Sequence, residues 1–247
     1  WDAHPPVLLT LRRPFTDQGE RRAEQEWPLA RTRWTPAYLD AGQLLAEQPG
    51  PTAGAVSFDA DGDPVTFTTA PLERETELTG PLCATLYISS STTDADLFLT
   101  VQAFAPDGRE VDFLGAIDPR TPLSQGWLRA SHRKLDPDRD APWRPWHTHD
   151  ELQPLTPGAV YELRVEIWPT CIILPAGFRI ALQISGHDFE RDATANPAAQ
   201  FDLRGSGLSL HTHPADRPRD IFAGHTTIHV GPDTPSHLLL PVVPPTG

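Results

Sequence analysis

Histidine is the residue type in this sequence whose spacing points most directly to chemistry. Ten histidines are present, and six stand in close pairs: His147 with His149, His211 with His213, and His225 with His229. Alternate histidines on a strand share one face, so a His-x-His pair can bind a metal. Nothing in the sequence shows which pairs meet in space, and hydrogen-bonded or solvated loop histidines are the favoured interpretation. We therefore predict no metal site and no cofactor.

Known catalytic motifs are missing from the sequence. It contains no G-x-S-x-G nucleophile elbow, no phosphate-binding glycine loop, no dinucleotide fingerprint and no H-E-x-x-H. Gly205-Ser206-Gly207 has the composition of a flexible turn. Four aspartates could suggest calcium, but they lack EF-hand spacing and are interpreted as turn and edge residues: Asp94, Asp96, Asp107 and Asp112. We predict no catalytic residue.

The segment Trp127–Asp150 is the most distinctive stretch of the chain. It begins like a strand and continues as a loop that carries tryptophans, arginines and histidines. Tryptophan together with arginine is typical of interfaces, but the two loop tryptophans could equally close one end of a sandwich. The interface candidates across the sequence are Trp27, Trp34, Trp143, Trp146, His147 and His149, with Leu8 and Leu9 added as parts of an apolar patch.

Charge and composition exclude several classes of partner. The net charge of −13 argues against binding to nucleic acid, which needs a positively charged surface, and against binding to an anionic membrane. No apolar run approaches the ~20 residues of a membrane span. Cys83 and Cys171 lie in apolar segments with a strand-like pattern and are expected to be buried free thiols. The chain begins at Trp1 and contains no methionine, so we interpret it as a fragment of a longer protein.

Alternating apolar and polar residues predict the elements that hold these side chains. Four segments show a period of two, which is typical of antiparallel strands with one buried face. The predicted fold is an all-β, two-sheet antiparallel sandwich, and 28 prolines argue against a helical one. The predicted core includes Leu86, Val101, Leu163, Val165, Ile180 and Leu182.

The first fifty residues differ from the rest in composition. We predict an irregular N-terminal arm over residues 1–50, the least anchored part of the chain, and the sandwich over 51–247. Within the arm, a short helix over 37–47 and a strand near 33–39 are both compatible with the sequence. Ala105-Pro-Asp-Gly-Arg109 predicts a tight hairpin.

Motifs in one order along nearly the whole chain resemble a known family. The first half contains Glu26-Trp-Pro-Leu-Ala-Arg-Thr32, Tyr38-Leu-Asp40, Glu77-Leu-Thr-Gly80, Asp94-Ala-Asp96-Leu-Phe98 and Pro106-Asp-Gly108. The second half contains Gly126-Trp-Leu-Arg-Ala-Ser131 with Arg133, Pro142-Trp-Arg-Pro145, His147-Thr-His149, Ile167-Trp-Pro169, Pro175-Ala-Gly-Phe-Arg-Ile180, Ile228-His-Val-Gly231 and Ser236-His-Leu-Leu-Leu-Pro241. Together they resemble the C-terminal domain of X-Pro dipeptidyl-peptidase and cocaine-esterase (CocE/NonD) hydrolases.

The resemblance implies a galactose-binding-like jelly roll that packs on an upstream α/β-hydrolase domain of the same protein. In this family the upstream domain carries the serine, acid, histidine and oxyanion hole, so none of these roles transfers to a residue of this chain. In some relatives a loop of this domain reaches the active site, and here the short Asp59–Pro64 turn stands in its place.

Three functions remain in competition at this stage. The favoured one is an accessory domain of a serine hydrolase that cleaves ester or amide bonds. A carbohydrate-binding jelly roll is the second, and an independent metal enzyme that uses the histidines is the third. The substrate, the cellular location and a possible homo-oligomer stay open.

Overall fold

The protein is almost entirely β-structure. The computed structural model describes residues 4–16, 19–40, 43–45, 48–115, 118, 120–191, 204–205 and 210–245. The strands are β1 (Val7–Leu11), β2 (Glu20–Glu24), β3 (Arg33–Asp40), β4 (Gln43–Leu45), β5 (Gly54–Asp59), β6 (Val65–Thr68), β7 (Thr76–Ser90), β8 (Asp96–Phe104), β9 (Ser124–Arg129), β10 (Tyr161–Leu174), β11 (Arg179–Ser185), β12 (His225–Val230) and β13 (His237–Val243). A 3-10 turn (Ala130–His132) and a short helix, α1 (Arg219–Phe222), complete the regular structure of these ranges.

Eleven of these strands form one continuous sheet that folds back on itself. Its order is β10-β9-β8-β11-β6-β4-β3-β13-β7-β12-β5, and a further pairing of β10 with β7 closes it into a flattened, nearly closed sandwich. The neighbouring strands are antiparallel, apart from a parallel contact between β4 and β6. The prediction of an all-β antiparallel sandwich is confirmed.

The two long strands β7 and β10 run side by side where the sheet closes on itself. Leu86 lies opposite Leu163 and Ala84 opposite Val165, with all four side chains fully buried. Each large apolar side chain buried in this way stabilises the fold by about 1.5–3 kcal/mol. The six predicted core residues are all buried, with at most 1% of any of them exposed: Leu86, Val101, Leu163, Val165, Ile180 and Leu182.

The N-terminal stretch differs from the expected irregular arm. β1 and β2 form a hairpin, and β3 pairs with β13 inside the main sheet. The strand near 33–39 is therefore confirmed, and the alternative helix over 37–47 is absent from the described residues of that range. The division of the chain at residue 50 stays a prediction.

Polar contacts fasten the β1–β2 hairpin to the sandwich. The guanidinium of Arg12 donates to Thr170 Oγ1 at 2.8 Å, and the amide of Ile173 donates to the Arg12 carbonyl at 2.9 Å. Arg22 binds both carboxylate oxygens of Glu77 at 2.8 and 2.5 Å. The described part of this stretch is thus anchored to the sheet, in contrast to the expected loose attachment.

Candidate functional site

Two of the predicted interface residues pack against each other. Trp34 on β3 and Trp143 in the loop after β9 stack with ring centroids 5.7 Å apart and planes inclined by 10°. Both side chains are half-buried. This pair therefore attaches the loop to the sheet.

The loop from Arg133 to Asp150 lies over the outer side of β10. Arg164 on β10 pairs with Asp140 and donates to the Ala141 carbonyl at 2.5 Å. Trp146 stays 38% exposed at the top of this loop. Arginines of the same loop lie over the rings: Arg139 and Arg144 are 5.4 and 5.5 Å from the Trp146 centroid, and Arg144 is 5.2 Å from that of Trp143.

Two other tryptophans are more exposed and lie side by side on the open face of the sheet. Trp127 on β9 is 44% exposed and Trp168 on β10 is 61% exposed, and their ring centroids are 5.3 Å apart at 59°. The strands approach closely because Gly126 lies opposite Ile167, where an added Cβ would come within 2.1 Å of the Glu166 carbonyl oxygen.

Trp27 continues this exposed aromatic area. It is 42% exposed and borders a cleft of about 480 Å³ together with Trp168. We call Trp27, Trp127 and Trp168 the tryptophan surface. Neither Trp127 nor Trp168 was among the interface candidates, although Trp127 alternates with buried neighbours, because their proximity depends on the pairing of β9 with β10. Of the two expected patch leucines, Leu8 is exposed and Leu9 is buried with Leu29 and Val243.

Four histidines, His132, His147, His149 and His211, border a cleft next to Trp127. This histidine cleft has a volume of about 400 Å³ and is lined by His132, His147, His149, Trp127 and Glu166, among others. The Nδ1 atoms of His132 and His149 are 3.0 Å apart, and the rings of His147 and His149 are centred 5.9 Å apart. Burial, followed by the charge of His149, lowers the pKa of His147 to about 4.

Histidines of the other two pairs contact side chains elsewhere in the sandwich. His211 contacts Asp188 at 2.9 Å, His225 pairs with Asp59, and the Nε2 of His229 lies 2.9 Å from Ser89 Oγ. Within the described ranges, no group of three or more His, Cys, Asp or Glu side chains is arranged to hold a metal ion. Nor is any helix of the described ranges long and apolar enough to cross a membrane.

The serines offer no assembled nucleophile in the part of the chain that the structure describes. Ser89 lies within β7, it is 9% exposed, and no described carboxylate contacts its neighbour His229. Ser131 and Ser185 are buried. A serine hydrolase needs a base oriented by a third group and donors aimed at the oxyanion, and none of these serines has both. Ser206 and Ser209 lie outside the described residues.

The two cysteines are free thiols. Cys83 is buried, and burial raises its pKa to about 12. Cys171 is half-buried, and burial again raises its pKa. A thiolate nucleophile requires a lowered pKa, so neither residue adds a reactive centre.

The described ranges define an all-β, antiparallel sandwich domain. The chain belongs to the family described as the X-Pro dipeptidyl-peptidase C-terminal non-catalytic domain, whose pattern matches residues 1–239. The resemblance to this family seen in the sequence is thus confirmed.

Relatives with assigned names are hydrolases of greater length. The chain is 32% identical over 163 residues to a protein of Mycobacterium bovis whose name assigns it to the serine esterases, covering 64% of this chain and 24% of that protein. It is 23% identical over 264 residues to the cocaine esterase of a Rhodococcus strain, covering 91% and 40% of the two chains. The chain therefore spans less than half of each relative.

Solved structures share the fold. A CocE/NonD family hydrolase from Staphylococcus aureus superposes with a TM-score of 0.83 at 24% identity, over 98% of this chain and 42% of that one. An aminopeptidase from a marine sediment thaumarchaeon superposes with a TM-score of 0.66 at 17% identity, over 97% and 41%.

Proposed function

We propose that this chain packs on an upstream α/β-hydrolase domain of the same polypeptide and helps to shape it. The upstream domain would carry the hydrolysis of ester or amide bonds, X-Pro dipeptide bonds among them. The family membership and the partial coverage of longer hydrolases support this proposal. The observation that carries it is the tryptophan surface.

Exposure of a tryptophan side chain to water is unfavourable, and its burial at an interface stabilises the complex. Trp127, Trp168 and Trp27 present 44, 61 and 42% of their surface to solvent in one region of the sandwich. Tryptophan is enriched at the well-packed centres of protein interfaces, and exposed apolar patches on soluble proteins commonly mark contact sites. We place the contact with the upstream domain here.

The predicted interface residues divide between two parts of this region. Trp146, His147 and His149 lie in or beside the loop that borders the histidine cleft, so we retain them as a candidate rim. Trp34 and Trp143 support that loop from below. Leu9, which is buried in this chain, is withdrawn from the patch.

A carbohydrate platform is less well supported. Sugar rings stack on flat, open aromatic faces, but Trp34 and Trp143 cover each other, and the planes of Trp127 and Trp168 are inclined by 59°.

Photo-cross-linking tests the proposed contact. In the full-length polypeptide that contains this chain, Trp168 is replaced by p-benzoylphenylalanine, and the irradiated protein is digested and mapped by mass spectrometry. We expect an intramolecular cross-link to residues upstream of Trp1. Val160 is 46% exposed just before β10 and serves as the control, since it stands about 26 Å away along the strand. A cross-link only between copies, or equal yields at both positions, would contradict the proposal.

A further inference from the structure

A carboxylate lies beside Trp127 at the edge of the tryptophan surface. Gly126 is paired with Ile167, so the next antiparallel pair places Trp127 opposite Glu166. Trp168 is two residues from Glu166 on the same strand and therefore on the same face. All three side chains are exposed, and Trp127 and Glu166 border the same cleft.

The basic residues around Glu166 are already occupied. Arg164, the preceding outward residue of β10, is paired with Asp140. Arg129, the next outward residue of β9, binds Asp96 at 2.8 Å and Asp216 at 3.2 Å. Among the described residues, no lysine, arginine or histidine forms an ion pair or hydrogen bond with the Glu166 carboxylate.

The tryptophan rings beside Glu166 also lack a cation. In the loop, arginines lie over the rings of Trp143 and Trp146. In the part of the chain that the structure describes, no arginine or lysine lies over the rings of Trp127 or Trp168. An unpaired acid beside an exposed indole ring has the chemistry of a receptor for a cationic side chain.

We infer that Glu166 and Trp127 together receive an arginine side chain from the upstream domain; this rests on the proposed function. Arginine fits best because its planar guanidinium can stack on an indole ring while it donates to a carboxylate. The net charge of −13 adds a long-range attraction for a basic partner surface. Closure of the interface would exclude water and strengthen the ion pair.

Charge reversal in the cross-linking protein tests this inference. In the full-length polypeptide with p-benzoylphenylalanine at Trp168, we introduce Glu166→Lys and, separately, Glu166→Gln. Glu162→Lys is the matched control, because Glu162 is on the same strand and face but accepts a hydrogen bond from Tyr87 at 2.9 Å. We expect Glu166→Lys to lower the cross-link yield at least about tenfold, Glu166→Gln to lower it less, and Glu162→Lys to leave it nearly unchanged.

The arginine itself is identified by rescue. The mapped cross-link limits the upstream arginines to be changed to glutamate, and one of them should restore the yield of Glu166→Lys. A normal cross-link to the upstream domain that Glu166→Lys does not weaken more than Glu162→Lys would overturn the inference and leave the proposed function intact. Failure of every upstream arginine to rescue would also overturn it. Absence of any upstream cross-link in the protein with native Glu166 would contradict both the inference and the proposed function.

Discussion

Burial decides the protonation of the histidine that closes the cleft beside Trp127. His147 is half-buried, and its pKa is lowered to about 4, chiefly by burial. In the unfolded chain a histidine has a pKa of about 6.5. Between these values the unfolded state binds more protons than the folded one, so acidification favours unfolding.

We predict that the free energy of unfolding falls as the pH drops from 7.5 to 5, with His147 contributing about 2 kcal/mol of this loss. The stabilising effect is complete above pH 6.5 and is lost as the pH falls towards 4. Urea unfolding followed by circular dichroism at the two pH values measures it. His147→Gln should show a shallower dependence, and exposed His4→Gln should keep the full one. Equal slopes for native protein and His147→Gln would refute the assignment.

For individual side chains, the sequence predicted only the proximity of residues that are close together along the chain. His147 and His149 were both named as interface candidates, and the structure places both at one cleft. His132 joins them from seventeen positions away, through the path of the loop. Glu166 and Trp127 meet through strand register. Neither juxtaposition has a local signal in the sequence.

The strands differ in how well the sequence predicts them. Strands whose apolar residues alternate were predictable, because a period of two directly reports which face is buried. β2 was missed because its sequence, ERRAE, is polar and is held by ion pairs, with Arg22 bound to Glu77 and to Glu24 at 2.7 Å. The Ala105–Arg109 turn was correctly predicted, and the Ala105 amide donates to the Arg109 carbonyl at 2.9 Å. Gly108 adopts a φ of +86° in this turn, which glycine tolerates.

The stack of Trp34 on Trp143 makes the loop over β10 part of the folded unit. We predict that Trp143→Ala lowers the free energy of unfolding by about 2 kcal/mol, because it removes both buried area and the stacked pair. Trp146→Ala, at a more exposed ring of the same loop, should cost less than about 1 kcal/mol. Urea unfolding, with hydrogen exchange of residues 133–150, measures both variants. A Trp143→Ala protein no less stable than Trp146→Ala would contradict the role of the stack.

At the scale of the whole molecule, the described ranges form a sandwich that carries the exposed tryptophan surface and has no assembled nucleophile. The family assignment agrees with this division, since the domain is named as non-catalytic. The fold class was predictable because strand alternation and motif order extend along the chain. The position of the tryptophan surface was not, because it depends on two strands and a connecting segment that are distant in sequence.

Labelling with a serine-directed fluorophosphonate tests the central claim most directly. The full-length polypeptide and the chain of residues 1–247 are treated in parallel, digested and mapped by mass spectrometry, with hydrolysis of an activated ester followed alongside. The account predicts that the full-length protein is labelled at one serine upstream of Trp1 and hydrolyses the ester, whereas no serine of residues 1–247 is labelled in either sample. Stoichiometric labelling of a serine within this chain, such as Ser89 beside His229, would contradict it.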